Sequence, residues 1–556
     1  MSLTVRYLDI PEGAQQAAQA SGDSGQAFSS LPGIISGAQD VPYVTLEPGV
    51  WTLDGTRRIL PDAPKGLGWW SDSRTGDDGR FETPPKITVT FPEPYTSTGF
   101  SFVFSPSTEQ WCSEIKLSWY NGQTLLAETT AYPDSAKWVL EQLVESFDRI
   151  DIQLLATNVP GQFAKLQLFQ IGKMVVFDRS ELTQVRLTNE VDPSLCVLSV
   201  DTMRVEIRDR KCRAFAPQEN QRMELYRDDK LLASHFITDS SREAQYHYTF
   251  YCQSAIGLLN DDYLGGMFDS MPVKSFLTDV LDGRAFSLDD SFANETVSGY
   301  LPICTRREAL QQLAFAIGAM VTTQGTDAIC LLPLPENITG TFSRKQIFTG
   351  AKAEMAPRVS RVEVAEHSYT KSSEVVTLMS DREVSGQDIL FTFYEPHYDY
   401  VIEGGTITAS GVNWIKITAN GPVTLTAKTY IHGVSMHTKR NPYATSVERN
   451  NVVTVDSATL IHRGNVQTAL ERLYNAKQLR QKLTQDAVIS GHKAGDRVSS
   501  ENPWGTQTRG YITALESILT QTGHTGSVEI LGLDIAAEGI YYYSGELYSG
   551  DKEVLY

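Results

Sequence analysis

The rhythm of hydrophobic and polar positions changes several times along this chain. From residue 49 the pattern is one of short alternating runs. Ile87, Val89 and Phe91 alternate with polar neighbours, as do Ile115, Leu117 and Trp119, and then Ile150, Ile152 and Leu154. A period of two marks strands with one buried face. The second run leads into Asn121-Gly122, a strong signal for a two-residue hairpin turn. Together these features predict a β-sandwich over residues 49–175. Residues 1–48 are rich in Ala, Gly, Ser and Gln with little periodicity, and read as an extended arm.

Alternation returns beyond residue 175. Met203, Val205 and Ile207 form one run. Met223 and Leu225 lead into a polar turn at Arg227–Lys230, and Tyr246, Tyr248, Phe250 and Cys252 form another face. This is a second β region, 176–262. A helical period follows. Pro272 suits a first helical turn, and Val273, Phe276, Leu277, Val280 and Leu281 share a face. Further on, Thr305 and Glu308 have capping-box spacing, ahead of a stripe of Leu310, Leu313, Ala314, Ile317 and Met320. Gly318 lowers helix propensity there while allowing close packing. Strands are expected over 320–324 and 328–333, so 263–350 reads as a small α/β module.

Strands resume at 351–390 and again at 450–535. They bracket a Thr-, Ile- and Gly-rich β insertion, 391–449. The longest helical pattern covers 464–485, with Val466, Leu470, Leu473, Leu479 and Leu483 on its seam. That seam is expected to pack on its own β region, with the charged face toward a neighbouring subunit. The C-terminal extension, 536–556, has no core pattern. Its Tyr541, Tyr542, Tyr543 and Tyr548 are candidate inter-subunit contacts, because tyrosine offers a large amphipathic surface.

Composition narrows the class. The chain has 556 residues, 41% hydrophobic and 21% charged. At about 150 residues per domain this predicts three to four domains. Net charge is −19, spread along the chain with no long basic run. That argues against sequence-specific nucleic-acid binding. The longest uncharged apolar run, Leu313 to Val321, is far short of the ~20 residues that cross a bilayer. The opening residues lack the apolar core of a signal peptide. The six cysteines lie far apart with no CxxC pair, which predicts free thiols and synthesis in a reducing cytosol.

Candidate chemistry is sparse. Gly22-Asp23-Ser24-Gly25 copies a serine-protease signature, yet the first histidine is His235, and a nucleophilic serine needs a base and an orienting acid. Asp72, Asp77 and Asp78 could offer oxygen ligands to calcium, but their spacing fits a solvated turn better. His397, His432 and His437 lack metal-ligand spacing and read as surface or hydrogen-bonded histidines. No P-loop or GxGxxG occurs. Trp69, Trp70, Trp111 and Tyr120 could form an aromatic platform for a sugar ring, although Trp119 alternates as core. A platform requires an exposed row. No cofactor, metal site or catalytic site is expected.

The order of several blocks carries a resemblance. They are VTLEPGVWTLDG (44–55), GWWSDSRTGDDGRFETPPKITVTF (68–91), TSTGFSFVF (96–104), LSWYNGQTLL (117–126), QSAIGLLNDD (253–262), GYLPICTRREALQQLAFAIGA (299–319), NVQTALERLYNAKQLRQ (465–481), GDRV (495–498) and TRGYITALESILT (508–520). In this order the sequence resembles tail-tip (baseplate) hub proteins of tailed bacteriophages and prophages. The resemblance implies a mainly β, multidomain chain. It would carry an N-terminal jelly-roll-like, carbohydrate-binding-type β-sandwich and two tube-like β-barrels, over 176–262 and over 351–390 with 450–535. The 263–350 α/β module would brace them.

It also implies a structural role in the virion tail tip, assembled in the host cytoplasm. Three chains would form a ring that continues a sixfold tail tube and contributes to the DNA ejection channel. Partners would be the tail tube or distal tail protein, the tape measure protein, a tail fibre or spike, and host cell-wall glycan. No endopeptidase or long fibre domain follows the hub blocks. A host-surface glycan-binding adhesin and a tail-associated hydrolase are the alternative readings. An exposed aromatic row would favour the first, and a convergent catalytic cluster the second.

Overall fold

The computed structural model describes residues 2–11, 13–26, 29–37, 43–44, 54–55, 58–59, 68–210 and 217–536. The chain opens with a strand, β1 (Leu3–Asp9), whose Leu3, Val5, Tyr7 and Asp9 are buried in alternation. The short helices α1 (Ala14–Ala17) and α2 (Leu31–Ser36) follow. Ala14, Ala18 and Ile34 enter the core of the sandwich. The extended arm expected over 1–48 is therefore corrected: its described residues are split between two β structures. The Leu3, Val5, Tyr7 alternation was the sign of it.

The sandwich's main sheet contains β2 (Lys86–Val103), β3 (Cys112–Asn121), β4 (Thr124–Ala131) and β5 (Lys137–Thr157). Strand Leu168–Ile171 flanks β2, and the sheet runs from it through β2, β5 and β3 to β4. The three alternating runs lie in register across it. Ile87 opposes Ile152, which opposes Leu117; Val89 opposes Ile150, which opposes Trp119. Each row is one layer of core, since side chains opposite one another share a face. The β3–β4 turn is Gly122-Gln123, with Gly122 at φ 56°, because Asn121 still pairs with Thr124 as the last residue of β3; the expected Asn121-Gly122 turn is thus corrected by one position.

The sandwich is an insertion. It leaves the larger sheet after β1 and returns through β6 (Lys173–Phe177), and the two strands pair antiparallel from Val5–Phe177 to Asp9–Lys173. Gly172 sits at the re-entry with φ 108°, where a Cβ would lie 2.3 Å from the Asp9 carbonyl oxygen. Only glycine fits there.

Five strands follow: β7 (Leu182–Glu190), β8 (Thr202–Arg208), β9 (Arg222–Arg227), β10 (Lys230–Ala244) and β11 (His247–Gln253). Asp228 and Asp229, both at positive φ, make the two-residue β9–β10 turn. The α/β module then contributes α3 (Val273–Leu281) and α4 (Arg306–Ile317). In the α4 cap, Thr305 Oγ1 accepts from Glu308 N at 3.2 Å and Glu308 Oε2 accepts from Thr305 N at 2.8 Å. The strands Ala319–Thr322 and Ile329–Pro333 pair antiparallel behind it. Gly318 does not lie within the helix. It is the C-cap, at φ 82°, and a Cβ there would meet Arg472 Nη1 at 2.6 Å.

The remaining strands are β12 (Lys352–Met355), β13 (Arg361–Thr392), β14 (His397–Ser410), β15 (Trp414–Arg440), β16 (Gln481–Val488), β17 (Arg497–Glu501), β18 (Thr506–Leu519) and β19 (His524–Ala536). Strands β13 to β15, with Val452–Val455 pairing parallel to the start of β13, form a separate four-stranded sheet with its own core around Ile415, Ile417 and Leu425. The β insertion thus begins near residue 361, not 391, because β13 pairs with β15 from Arg361 onward. The expected 464–485 helix is also corrected. Helix α5 spans Val466–Gln478, and Leu483, buried with Gln485 and Ala487, belongs to β16. The helix's Val466, Leu470 and Leu473 share one core with Leu310 and Leu313 of the α/β module and with Val362 and Val364 of β13, so the seam packs on both the module and the start of β13.

The two β regions do not close separately. They form one thirteen-stranded sheet whose main path is β6-β1-β9-β10-β11-β8-β7-β18-β19-β16-β12, with a branch in which β17 pairs β18 and Gly340–Phe342 pairs β17. The join is the antiparallel pairing of β7 with β18, from Val185–Leu519 to Glu190–Ala514. Two buried clusters lie along the sheet, one around Val205, Leu225 and Phe250, the other around Phe342, Leu483 and Ile530. Two β modules share one hydrogen-bonded sheet, and no barrel closes among the described residues.

Candidate functional site

The sandwich aromatics do not make a platform. Trp69 and Trp70, on strand Trp69–Arg74, are buried, and Trp119 is fully buried in the main sheet. Lys165 Nζ lies over the Trp70 ring at 4.3 Å. Trp111 is half-buried, and its Nε1 donates to the Pro133 carbonyl at 3.0 Å. The Arg149 guanidinium covers Tyr120 at 3.9 Å from the ring centroid. A sugar stacks on an open ring face, and these faces are occupied or internal. Alternation foretold the burial of Trp119, whereas nothing local marked Trp69 and Trp70 as internal. Tyr541, Tyr542, Tyr543 and Tyr548 lie outside the described residues.

The other candidates are scattered. Ser24 is exposed beyond strand Gln19–Gly22, where the neighbouring Asp23 carboxylate accepts from Lys86 N at 2.9 Å. Asp72, Asp77 and Asp78 are exposed, and Asp78 Oδ1 accepts from Arg80 N at 3.0 Å, an ordinary turn contact. His432 shares a 2.9 Å hydrogen bond with His367, and His437 contacts Glu366 at 2.7 Å. His397 is buried, not at the surface, and desolvation lowers its pKa. The described cysteines are free thiols, and burial pushes Cys112 up to about 12.

The thirteen-stranded sheet offers a different kind of site. Its path ends at two open strands, β6 and β12. On β6, Lys173, Val175 and Phe177 point into the core while Met174 and Val176 are 54% and 41% exposed. All four residues of β12 are exposed, including Met355, and a Lys352–Glu354 ion pair lies along it. An edge strand presents unpaired N–H and C=O groups that another chain can complete. One edge carries apolar side chains and the other mixed charge, so the two ends of the sheet are chemically unlike. Neither edge could be placed from local sequence, because an edge is defined by the strands that are not beside it.

No family model and no curated protein matches the sequence. Several solved structures are similar in shape. A tail protein from Neisseria meningitidis MC58 aligns over 64% of this chain and 93% of its own, at 10% identity and a TM-score of 0.41. The 43 kDa tail protein of prophage MuSo2 from Shewanella oneidensis aligns over 64% and 96%, at 8% identity and a TM-score of 0.40. A family 32 carbohydrate-binding module from C. perfringens NanJ, solved with galactose, aligns over 31% of this chain and 99% of its own, at 12% identity and a TM-score of 0.20. At these scores the chain is similar to tail proteins in outline, and a function does not follow from the likeness.

Proposed function

We propose that this chain is a structural hub of a bacteriophage tail tip, acting as a homotrimer and without catalytic activity. One observation carries the reading: two β modules joined by β7 and β18 into one sheet that is open at both ends. A ring closes when each copy presents two different surfaces that fit one another. Strands β6 and β12 are two such surfaces on one sheet. Three chains with two modules each would offer six similar units to a sixfold tube, as the resemblance of the ordered sequence blocks implies.

In this role the tail tube or distal tail protein lies on one side and a fibre or spike on the other, with the tape measure protein within. The hub forms part of the ejection channel. A net charge of −19 suits a passage through which DNA must slide, since it avoids the lysine and arginine contacts that hold phosphate. Among its described residues the sandwich has no open aromatic row, so their geometry lends the adhesin reading no support. The test is a mass measurement of the assembled protein with end-on imaging of tail tips. Three copies per ring are expected, and one or six copies overturn the proposal. Purified protein is expected not to cleave peptidoglycan, and cleavage lost in Ser24→Ala would overturn the non-enzymatic part.

A further inference from the structure

Where the two β modules meet, four turns enclose a cleft of about 670 Å³. They are the β9–β10 turn, the β18–β19 turn, the loop after β16, and the turn at Gln324 and Gly325. On a chain with net charge −19 the lining is unusual. It holds Arg227, Lys230 and Lys493 and the imidazoles of His492 and His524, against a single acid, Asp228. Asp228 is engaged elsewhere, accepting from Ser2 N at 2.7 Å.

Among the described residues Arg227, Lys230 and Lys493 form no ion pair with a carboxylate. Arg227 uses one terminal nitrogen to hold the β18–β19 turn, donating to Thr520 O at 3.2 Å and Gly523 O at 2.9 Å. Its Nε is buried with no partner among the described residues, as are His492 Nδ1 and His524 Nε2. A buried donor without an acceptor costs about 1–3 kcal/mol, and more for a charged group. Among the described residues Lys493 Nζ donates to the Gln324 carbonyl alone, at 3.0 Å. Burial, then Arg227, then His492 push His524 down to about 4, while Asp496 opposes the lowering of His492. Leu231, Leu232 and Leu515 supply an apolar wall.

We propose that this cleft binds a carboxylate-bearing peptide segment of a second polypeptide. A glutamate or aspartate would pair with the exposed Lys230 and Lys493 ammonium groups in the field of the Arg227 guanidinium, and an adjacent apolar side chain would lie on the leucine wall. Acidic peptide fits better than single-stranded nucleic acid. Strand binding uses aromatic rings on which bases stack, and the lining contains no Phe, Tyr or Trp.

The test uses the full-length protein with four probes: a fluorescein-labelled ten-residue Glu/Leu peptide, its Gln/Leu counterpart, inorganic phosphate and a ten-nucleotide oligo(dT). The Glu/Leu peptide is expected to bind at least tenfold more tightly than the other three and to shift the ring signals of His492 and His524 in histidine-labelled protein. Arg227→Gln should weaken it at least tenfold. Because Arg227 also holds a turn, the Lys230→Gln/Lys493→Gln double variant is the second arm and should give a severalfold loss with the fold intact. Equal binding of the glutamine peptide would overturn the proposal. So would tighter binding of phosphate or oligo(dT), unchanged affinity in the double variant, or no binding of the Glu/Leu peptide.

Discussion

The sandwich and the thirteen-stranded sheet are both antiparallel β structures, yet they complete themselves in different ways. The sandwich draws all its strands from one stretch of chain, Gln19 to Ile171, pairing β2 with β5, β5 with β3 and β3 with β4. Its core is a cluster of rings. Phe100 lies 5.1 Å from Trp119 and 5.7 Å from Phe147, and Phe102 lies 5.0 Å from Phe169. The sheet instead gathers strands from Leu3 to Ala536, and its main path ends in two open strands while a branch ends at Gly340–Phe342. A sheet drawn from one stretch of chain can form within that stretch, although it too ends in open strands, Leu168–Ile171 and β4. Pairing over the whole chain gives one that cannot form until both chain ends are present, and that leaves its edges for another chain.

The sharpest way to break this comparison is excision. Replacing residues 10–172 by a short glycine-containing turn between Asp9 and Lys173 keeps the β1–β6 pair. Calorimetry should then lose one unfolding transition and keep the other near its original midpoint. Collapse of both transitions would show that the sandwich is not an independent insertion. Trp119→Ala comes next. A buried aromatic truncation of this kind costs about 3–5 kcal/mol, and the loss should appear only in the sandwich transition.

Asp201 tests the sheet. It is buried, its Oδ1 accepts from Glu190 N at 3.2 Å, and desolvation raises its pKa to about 6. Between the ordinary carboxylate value and about 6 the folded state holds the proton more tightly, so this group's contribution falls as pH rises through that window and is level above it. At neutral pH the penalty is about 3 kcal/mol. Asp201→Asn should abolish that slope and stabilise the sheet transition at pH 7. Buried His235, pushed down to about 4, has the opposite slope between about 4 and its ordinary value near 6.5. Subtracting the variant's curve from the parent's therefore isolates Asp201. The smallest effect is a control that touches neither region: Thr305→Ala removes the α4 cap and should cost about 1 kcal/mol, read from hydrogen exchange in the first turn of α4.

Much of the local structure was legible. The runs around Val89, Leu117 and Ile152 became strands with those residues inside, a two-residue turn formed one position beyond Asn121, at Gly122-Gln123, and the Thr305–Glu308 box closed. The errors share a cause. The 464–485 reading continued α5 into β16 because Leu479 and Leu483 also fit a helical period. Only pairing with β19, Leu483 against Ile530, makes that segment a strand. Residues 361–390 looked like part of the second β region until β15 took them as its partner. Trp69 and Trp70 looked available until Phe163–Leu166 paired with their strand.

By itself, then, the sequence determined which faces of its strands and helices would be buried, where the α4 cap and the tight turns fall, and that the chain is acidic and mainly β. Those properties depend on side-chain period and on residues within a few positions of one another. Only the tertiary structure decided that β1 joins strands more than 150 residues away, that two β modules share one open sheet, and that Arg227, His492 and His524 line one cleft. Backbone hydrogen bonding between strands carries no residue code, so the choice of partner is made by global packing, and the cleft exists only where that packing brings the turns together.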